Sequence, residues 1–300
     1  MNLPDVALEN RKDSYSPIDQ VGMGNIEVPI LLEADDGVLF RVPARVDAKV
    51  SLDLAFARGI HMSRLYMLVQ EKLSAEVLSY PLLQQMTQDF LASHQDLSRH
   101  AFAVVKFEAP LKRKALISDN SAWRTYPVCL SAENTFGAVK IFAEVLVTYS
   151  STCPASAALS RQLIQENFDR SFGGSADLKT TEVRNWLGTS SGINATPHAQ
   201  RSVAKVKVQI GFAQSQFSFE DLIDVVEEAL QTPVQGAVKR EDEQEFALRN
   251  GQNLMFCEDA ARRVKSALDR VTDVVGYSIE VKHLESLHPH NAEALITKNF

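Results

Sequence analysis

The chain of 300 residues carries 31 Lys and Arg against 38 Asp and Glu, a formal net charge of −7, with 45% hydrophobic and 23% charged residues. That balance supplies apolar mass for one large or two modest cores, and it excludes a general binder of nucleic acid or anionic membrane, because an acidic surface repels phosphate. Three widely spaced cysteines, Cys129, Cys153 and Cys257, exclude a disulfide scaffold and fit a reducing, cytoplasmic compartment, and no apolar run is long enough to span a bilayer.

The opening residues, to about 25, lack periodicity and contain no apolar stretch of a secretory signal, so an irregular arm is expected there. Asp36 and Gly37, between VPILLE and VLFRV, predict a tight hairpin. Residues 45–56 then alternate. Val46, Ala48, Val50, Leu52, Leu54 and Phe56 face one way and mostly charged residues the other, as in a half-buried strand. The period next becomes helical: Leu65, Val69, Leu73 and Val77, then Leu83, Met86 and Phe90, predict two helices broken at Pro81. Strand-like stretches return at 101–108 and 126–131.

The same order recurs from about 138. Val139 to Tyr149 alternate as a strand, and Val206, Val208, Ile210 and Phe212 line another. Ser218 and Asp221 predict a capped helix start with the stripe Leu222, Val225, Val226, Ala229 and Leu230. A second stripe runs Leu254, Cys257, Ala261, Val264, Leu268 and Val271. Tyr277, Ile279 and Val281 predict a further strand, and the ALIT string a last one. Each half thus reads strands, two helices, strands, which is an α+β class with antiparallel sheets and helices on one face. The expected organisation is an arm over 1–25, a first module over 26–133 and a second over 134–300. The second module carries an insertion around 157–195, and the stretch rich in Gly, Ser and Thr over 171–197 reads as a loop or insertion.

Several segments depart from core patterning. RGIHMSR (58–64) sets two Arg and a His at a strand-to-helix junction, which reads either as a solvated helix start or as an anion site. In STCPAS (151–156), Cys153 follows a strand that Pro154 ends. It is either a buried thiol or an exposed ligand or nucleophile. In TPHAQRS (196–202), His198 precedes the next strand, which makes the two strands neighbours through a long crossover. Over 238–263 most of the charge reads as a solvated helix face, while Glu258 lies beside the apolar stripe at Cys257. ESLHPHNA (285–292) adds His288 and His290, which suit metal binding or proton transfer.

In order, the strings RGIHMSR, CPAS, HAQRS, KREDEQ, NLMFCEDAARR and ESLHPHNA resemble GTP cyclohydrolase I of type IB. The resemblance spans roughly residues 20 to 298. It implies two tandem tunnelling-fold modules, each β-β-α-α-β-β, closing into barrels on assembly, in a homotetramer. It also implies conversion of GTP to 7,8-dihydroneopterin triphosphate and formate with a divalent metal, Zn2+ or Mn2+ or else Fe2+. By the same resemblance Cys153, His198 and Glu243 hold the metal, with Cys153 also in the catalytic set. Glu258 binds the guanine edge, His288 transfers protons, and Arg58, His61 and Arg64 lie near the phosphates. Three departures from the family pattern are Ala155, the residues around His198 (Thr196, Pro197, Ala199), and the long separation between Cys153 and His198. Two other readings are a tunnelling-fold nitrile reductase of deazapurine metabolism, with a nucleophilic Cys, and a catalytically inactive purine-binding assembly protein.

Overall fold

The computed structural model describes residues 16–34, 37–174 and 177–300. Eight strands form one antiparallel sheet in chain order. They are β1 (Ile18–Glu33), β2 (Leu39–Leu52), β3 (His100–Lys114), β4 (Ser121–Thr135), β5 (Ala138–Thr152), β6 (Ala199–Ile210), β7 (Val274–His283) and β8 (Ala292–Lys298). Between β2 and β3 lie α1 (Met62–Ala75) and α2 (Tyr80–Ser93). α3 (Pro154–Phe172) and α4 (Thr180–Leu187) separate β5 from β6. α5 (Phe219–Leu230), α6 (Arg240–Gln252) and α7 (Cys257–Leu268) separate β6 from β7. The predicted α+β class holds, as one continuous sheet with seven helices among the described residues. No helix among them is long and apolar enough to cross a membrane.

The core lies between the sheet and the helices. Leu65, Val69 and Leu73 of α1 and Leu83, Met86 and Phe90 of α2 are fully buried, as are Leu222 and Val226 of α5 and Val264 of α7. They pack over the inward residues of the strands, such as Val46, Ala48 and Val50 on β2 and Val145 and Val147 on β5. The predicted helix starts have clear local causes. Ser79 accepts from the Leu82 amide and Pro81 occupies the first turn of α2. Ser218 and Asp221 form a reciprocal capping box on α5. The opposite face of the sheet is polar. There a trough of about 980 Å³ is lined by Arg41, Arg45, Lys106, Glu144 and Lys205 among others.

Four expectations need correction. Residues 18–25 are not an arm but the first half of β1, while residues 1–15 lie outside those described, as does Asp36 of the predicted hairpin. The strand continues through polar sequence because of a bulge. Asn25 turns to φ 57° and its amide donates to Asp47 Oδ1 (2.8 Å), shifting the β1–β2 register between Met23 and Ile26. Gly22 is required there, since a Cβ would come within 2.1 Å of the Ala48 carbonyl oxygen. Phe56 and Phe212 are about half exposed rather than core. Their strands end early, β2 where the Asp53 amide turns to the Leu97 carbonyl and β6 at Ile210. Val77 falls outside α1 and instead bridges to Leu31.

The fourth correction concerns the stretch read as a loop. It holds one unforeseen helix, α4, and the last two residues of α3, while the rest is turn and loop apart from Ser175 and Ala176, which lie outside the described residues. α3 buries only Ala157 and Ser160, and α4 buries nothing, so neither helix advertises a core stripe. The pair is held by its own aromatic cluster. Trp186 meets Phe168 and Phe172 edge-on, both at 5.7 Å between centroids, and Asn167 Nδ2 donates to the Ser191 and Gly192 carbonyls. Trp186→Ala is therefore expected to loosen this hairpin without melting the body. Limited proteolysis should cut faster within 173–195, while global unfolding by urea shifts by less than about 1 kcal/mol.

Candidate functional site

The last pair of the β5–β6 ladder, Thr152 opposite Ala199, delivers Cys153 and His198 to one end of the sheet. The Cys153 amide donates to the His198 carbonyl (3.3 Å), and the His198 amide donates to Ser156 Oγ (3.1 Å). The α3–α4 excursion thus leaves and returns through two neighbouring residues. Cys153 is the N-cap of α3, and its Sγ accepts from the Ser156 amide (3.5 Å).

The His198 ring is fixed by a polar chain. Gln200 Nε2 donates to Ser151 Oγ (2.9 Å), and Ser151 Oγ pairs with Ser202 Oγ (2.8 Å). That orients Gln200 Oε1 toward His198 Nδ1 (2.9 Å), so Nδ1 carries the proton and donates. Glu285 Oε2 stands 3.8 Å from the same nitrogen. Both partners occupy the Nδ1 edge, which leaves the Nε2 lone pair for a ligand, the usual arrangement of a metal-binding imidazole. A sulfur and an imidazole nitrogen side by side suit a divalent ion of intermediate softness.

The start of α7 is tied to the same place. Leu254 bridges to Thr152, and the Met255 amide donates to the Thr152 carbonyl (3.2 Å). Glu258 projects from the first turn of α7 and is exposed. Its own backbone amide and the Cys257 thiol (3.3 Å) hold its carboxyl below the usual range. Burial, aided by Glu258, pushes Cys257 up to about 11, and burial does the same to Cys129. Both are neutral thiols at neutral pH.

The other expected site residues are spread further. Glu243 is exposed in the first turn of α6. The far end of that helix reaches the site, where Asn250 Oδ1 accepts from Ser150 Oγ (2.6 Å) and Thr152 Oγ1 (3.4 Å). Glu243 lies about 10 Å along the axis from Asn250. Among the described residues, no three of His, Cys, Asp and Glu stand close enough to hold a metal ion. His288 is exposed on the β7–β8 loop at the same end of the sheet, stacked on His290 at 4.9 Å.

Arg58, His61 and Arg64 lie at the opposite end. Leu52 ends β2 level with the start of β5, and Cys153 follows the end of β5, about 45 Å away along the strand. His61 is the N-cap of α1, and Arg64 Nη1 donates to the Ser93 carbonyl (2.6 Å) at the end of α2.

Sequence reasoning missed Gln200, Asn250, His283 and Glu285. Gln200 sits inside the HAQRS string two residues from His198, a spacing that puts both on one face of a strand, and Glu285 opens ESLHPHNA. His283 carried no signal. It is buried, with Nε2 2.9 Å from Tyr149 Oη. Burial lowers it from 6.5 to about 4, against the pull of Glu258 and Asp259. Its folded form resists protonation, so the stability it supports is complete above about pH 6.5 and lost as pH falls toward 4. Urea unfolding at pH 7 and 4.5 should differ by about 2 kcal/mol more in the parent than in His283→Gln.

Comparison with known proteins places these residues in a family. Residues 3–294 match the family model described as "Type I GTP cyclohydrolase folE2". The chain belongs to the type I GTP cyclohydrolase FolE2 family. The GTP cyclohydrolase FolE2 of Bdellovibrio bacteriovorus is 62% identical over 297 residues, 99% of this chain and 96% of that one. The FolE2 proteins of Hydrogenovibrio crunogenus and Pseudoalteromonas translucida are 47% and 45% identical, each over 99% of this chain and 94% and 97% of theirs. Among solved structures, uricase from Arthrobacter globiformis superposes with a TM-score of 0.51 at 9% identity over 94% of both chains. A highly active mutant of Bacillus sp. TB-90 urate oxidase gives 0.50 at 10%, over 93% of this chain and 99% of that one. At those identities the likeness is one of fold, and this FolE2 chain shares the broad antiparallel sheet backed by helices.

Proposed function

We propose that this chain is a metal-dependent GTP cyclohydrolase. It converts GTP and water to 7,8-dihydroneopterin triphosphate and formate, an entry step of pterin and folate biosynthesis in a reducing cytoplasm. The observation that carries the reading is the Cys153–His198 pair, with Nε2 directed away from its polar partners, in a chain of the FolE2 family whose α7, which bears Glu258, starts from residues tied to Thr152. Cys153 and His198 would hold the ion, zinc or manganese or else iron, with Glu243 the third ligand that the family resemblance implies. A divalent ion held there would supply activation of water at neutral pH, the chemistry that hydration of the purine at C8 requires. The protein residues do the rest. The Glu258 carboxylate accepts from the two N–H groups of the guanine edge, which an adenine edge cannot supply. His288 moves protons during ring opening and reclosure. Metal-reconstituted protein incubated with GTP is expected to release formate and, after oxidation, to develop pterin fluorescence. Absence of both from folded, metal-loaded protein would overturn the reading.

The same reading makes each half of the sheet one tunnelling-fold module, with barrels formed in a homotetramer. Open edges at β1 and β8 favour pairing between copies. Arg58, His61 and Arg64 then bind the triphosphate in the site of a neighbouring copy, because about 45 Å separates them from Cys153 of their own chain. This has a distinctive consequence. Cys153→Ala and Arg64→Ala homo-oligomers are each impaired, but unfolding and refolding them together should restore activity, since mixed oligomers contain some intact sites. Activity of the mixture equal to the average of the two parents would exclude shared sites.

A further inference from the structure

A carboxylate such as Glu258 grips a purine only by its edge, and an edge contact leaves the ring free to tilt about that line. C8 lies at the far end of the bicycle from the guanine N–H edge, so any tilt is largest at the reacting atom. A second contact, on the face of the ring, removes that freedom, and the residue placed to make it is Phe256. The bridge between Leu254 and Thr152 is parallel. Beyond it the two segments run on side by side, one into Cys153 and the other through Met255 into Phe256. Burial alternates along this stretch. Met255 and Cys257 are in the core, whereas Phe256 is 45% exposed and Glu258 is exposed too. Phe256 and Glu258 therefore share the outward side of the chain. The Phe256 backbone is fixed. As the N-cap of α7, its amide donates to Asp259 Oδ2 (3.0 Å), and its carbonyl accepts from the Asp259 and Ala260 amides (both 3.1 Å). Its ring stacks on no other aromatic ring among the described residues. Nearly half of this apolar side chain thus contributes nothing to the core.

We propose that Phe256 is the stacking platform for the purine ring of GTP, fixing the tilt of the base while Glu258 fixes its edge. The inference rests on the reading of Glu258 as the guanine anchor. Every purine has a π-face, so stacking adds affinity without selecting a base. Selection stays with the carboxylate, whose bonds need the N–H groups of guanine. The two residues divide the work. Phe256 sets how firmly any purine triphosphate is held and at what angle, and Glu258 sets which one is preferred.

The test uses the full metal-loaded chain and reads the KM and kcat for GTP together with the inhibition constant of inosine triphosphate against it. Phe256→Ala is expected to weaken both nucleotides by the same factor, about 10- to 100-fold, so the preference for GTP stays that of the parent. Its kcat should fall as well, because tilt at C8 misplaces the reacting atom. Phe256→Tyr keeps the ring and should keep parent values, whereas Phe256→Leu keeps apolar bulk alone and should not. Phe256→Trp gives a direct readout. 7-Deazaguanosine triphosphate lacks the N7 needed for hydration at C8, so it binds without being consumed. Adding it should quench the new indole emission, measured over the background of Trp123 and Trp186 in the parent. Parent kinetics in Phe256→Ala, or an indole in Phe256→Trp that does not respond to the nucleotide, overturn the platform. Loss of the parent's oligomeric state in Phe256→Ala, seen by light scattering, also overturns it, because the ring then packs against a second copy. Glu258→Gln separates the two ways of failing. An unchanged preference for GTP in Glu258→Gln removes the guanine anchor and this inference with it. A lost preference there, with parent kinetics in Phe256→Ala, overturns the platform alone.

Discussion

Cys153→Ser is expected to lose both bound metal and formate release from GTP, with turnover down by more than about 100-fold, beyond the range for residues that only orient a ligand. The choice of serine matters because Cys153 has two jobs in the chain. Its Sγ caps α3 by accepting from the Ser156 amide, and under the proposed mechanism it also binds the ion. Serine is a better N-cap than cysteine, so stability should hold or rise in the Ser variant. Cys153→Ala loses cap and ligand together, and should cost about 1 kcal/mol of stability in addition to activity. His198→Ala should match the loss of turnover. If Cys153 were only a small apolar residue, both variants would keep normal turnover per folded molecule. Metal analysis and single-turnover assays on the same folded sample decide between the two, and full occupancy with normal turnover in Cys153→Ala would end the mechanism proposed above.

The second large effect is expected at the purine. Glu258→Gln keeps size and shape but converts one acceptor into a donor that faces a guanine N–H. Two charge-assisted bonds are weakened, so GTP affinity should fall by about 3 kcal/mol, roughly 100-fold, with metal content unchanged. The fold should barely notice. The capping box of α7 belongs to Asp259, which accepts from the Phe256 amide (3.0 Å), and removing one charge near a helix N-terminus costs about 0.5 kcal/mol. Inosine triphosphate, which lacks the exocyclic amine, provides the control. It should bind the parent more weakly than GTP does, and the Gln variant should lose much of that preference. Equal affinity for GTP in parent and variant would reject Glu258 as the guanine anchor.

Much of this fold was legible because its elements bury one clean stripe. Leu65, Val69 and Leu73 recur at helical spacing and all reach zero exposure, and the alternation along β5 survives intact in the sheet. Failures occurred where burial did not drive structure. α3 buries one alanine and one serine, so its periodicity is nearly silent and no stripe marks it as a helix. The start of β1 is polar and glycine-bearing because its bulge needs Gly22 and Asn25, residues that usually mark turns. Phe56 and Phe212 continue their alternating patterns past the points where the strands end. At the candidate site, the strand ends beside Cys153 and His198 predicted that β5 and β6 are neighbours, which the ladder bears out. The supports of that pair were not legible. Gln200, Asn250 and Glu285 act through side-chain geometry between distant segments, and nothing in local spacing singles out one amide or carboxylate among many.

The chain-order sheet has a consequence for synthesis. Each strand pairs with the one made just before it, so a growing chain can add β2 to β1, then β3 to β2, without waiting for a partner still inside the ribosome. Such a path closes short loops first and keeps contact order low for so large a sheet. The longest delays fall while the helical segments are made, after β2, β5 and β6, when the latest strand leaves its outer edge bare. Ribosomes stalled just after residue 152 or 210 should therefore hold nascent chains that bind chaperones more strongly than chains stalled after residue 135, where β4 has just covered β3 and β5 follows within a hairpin.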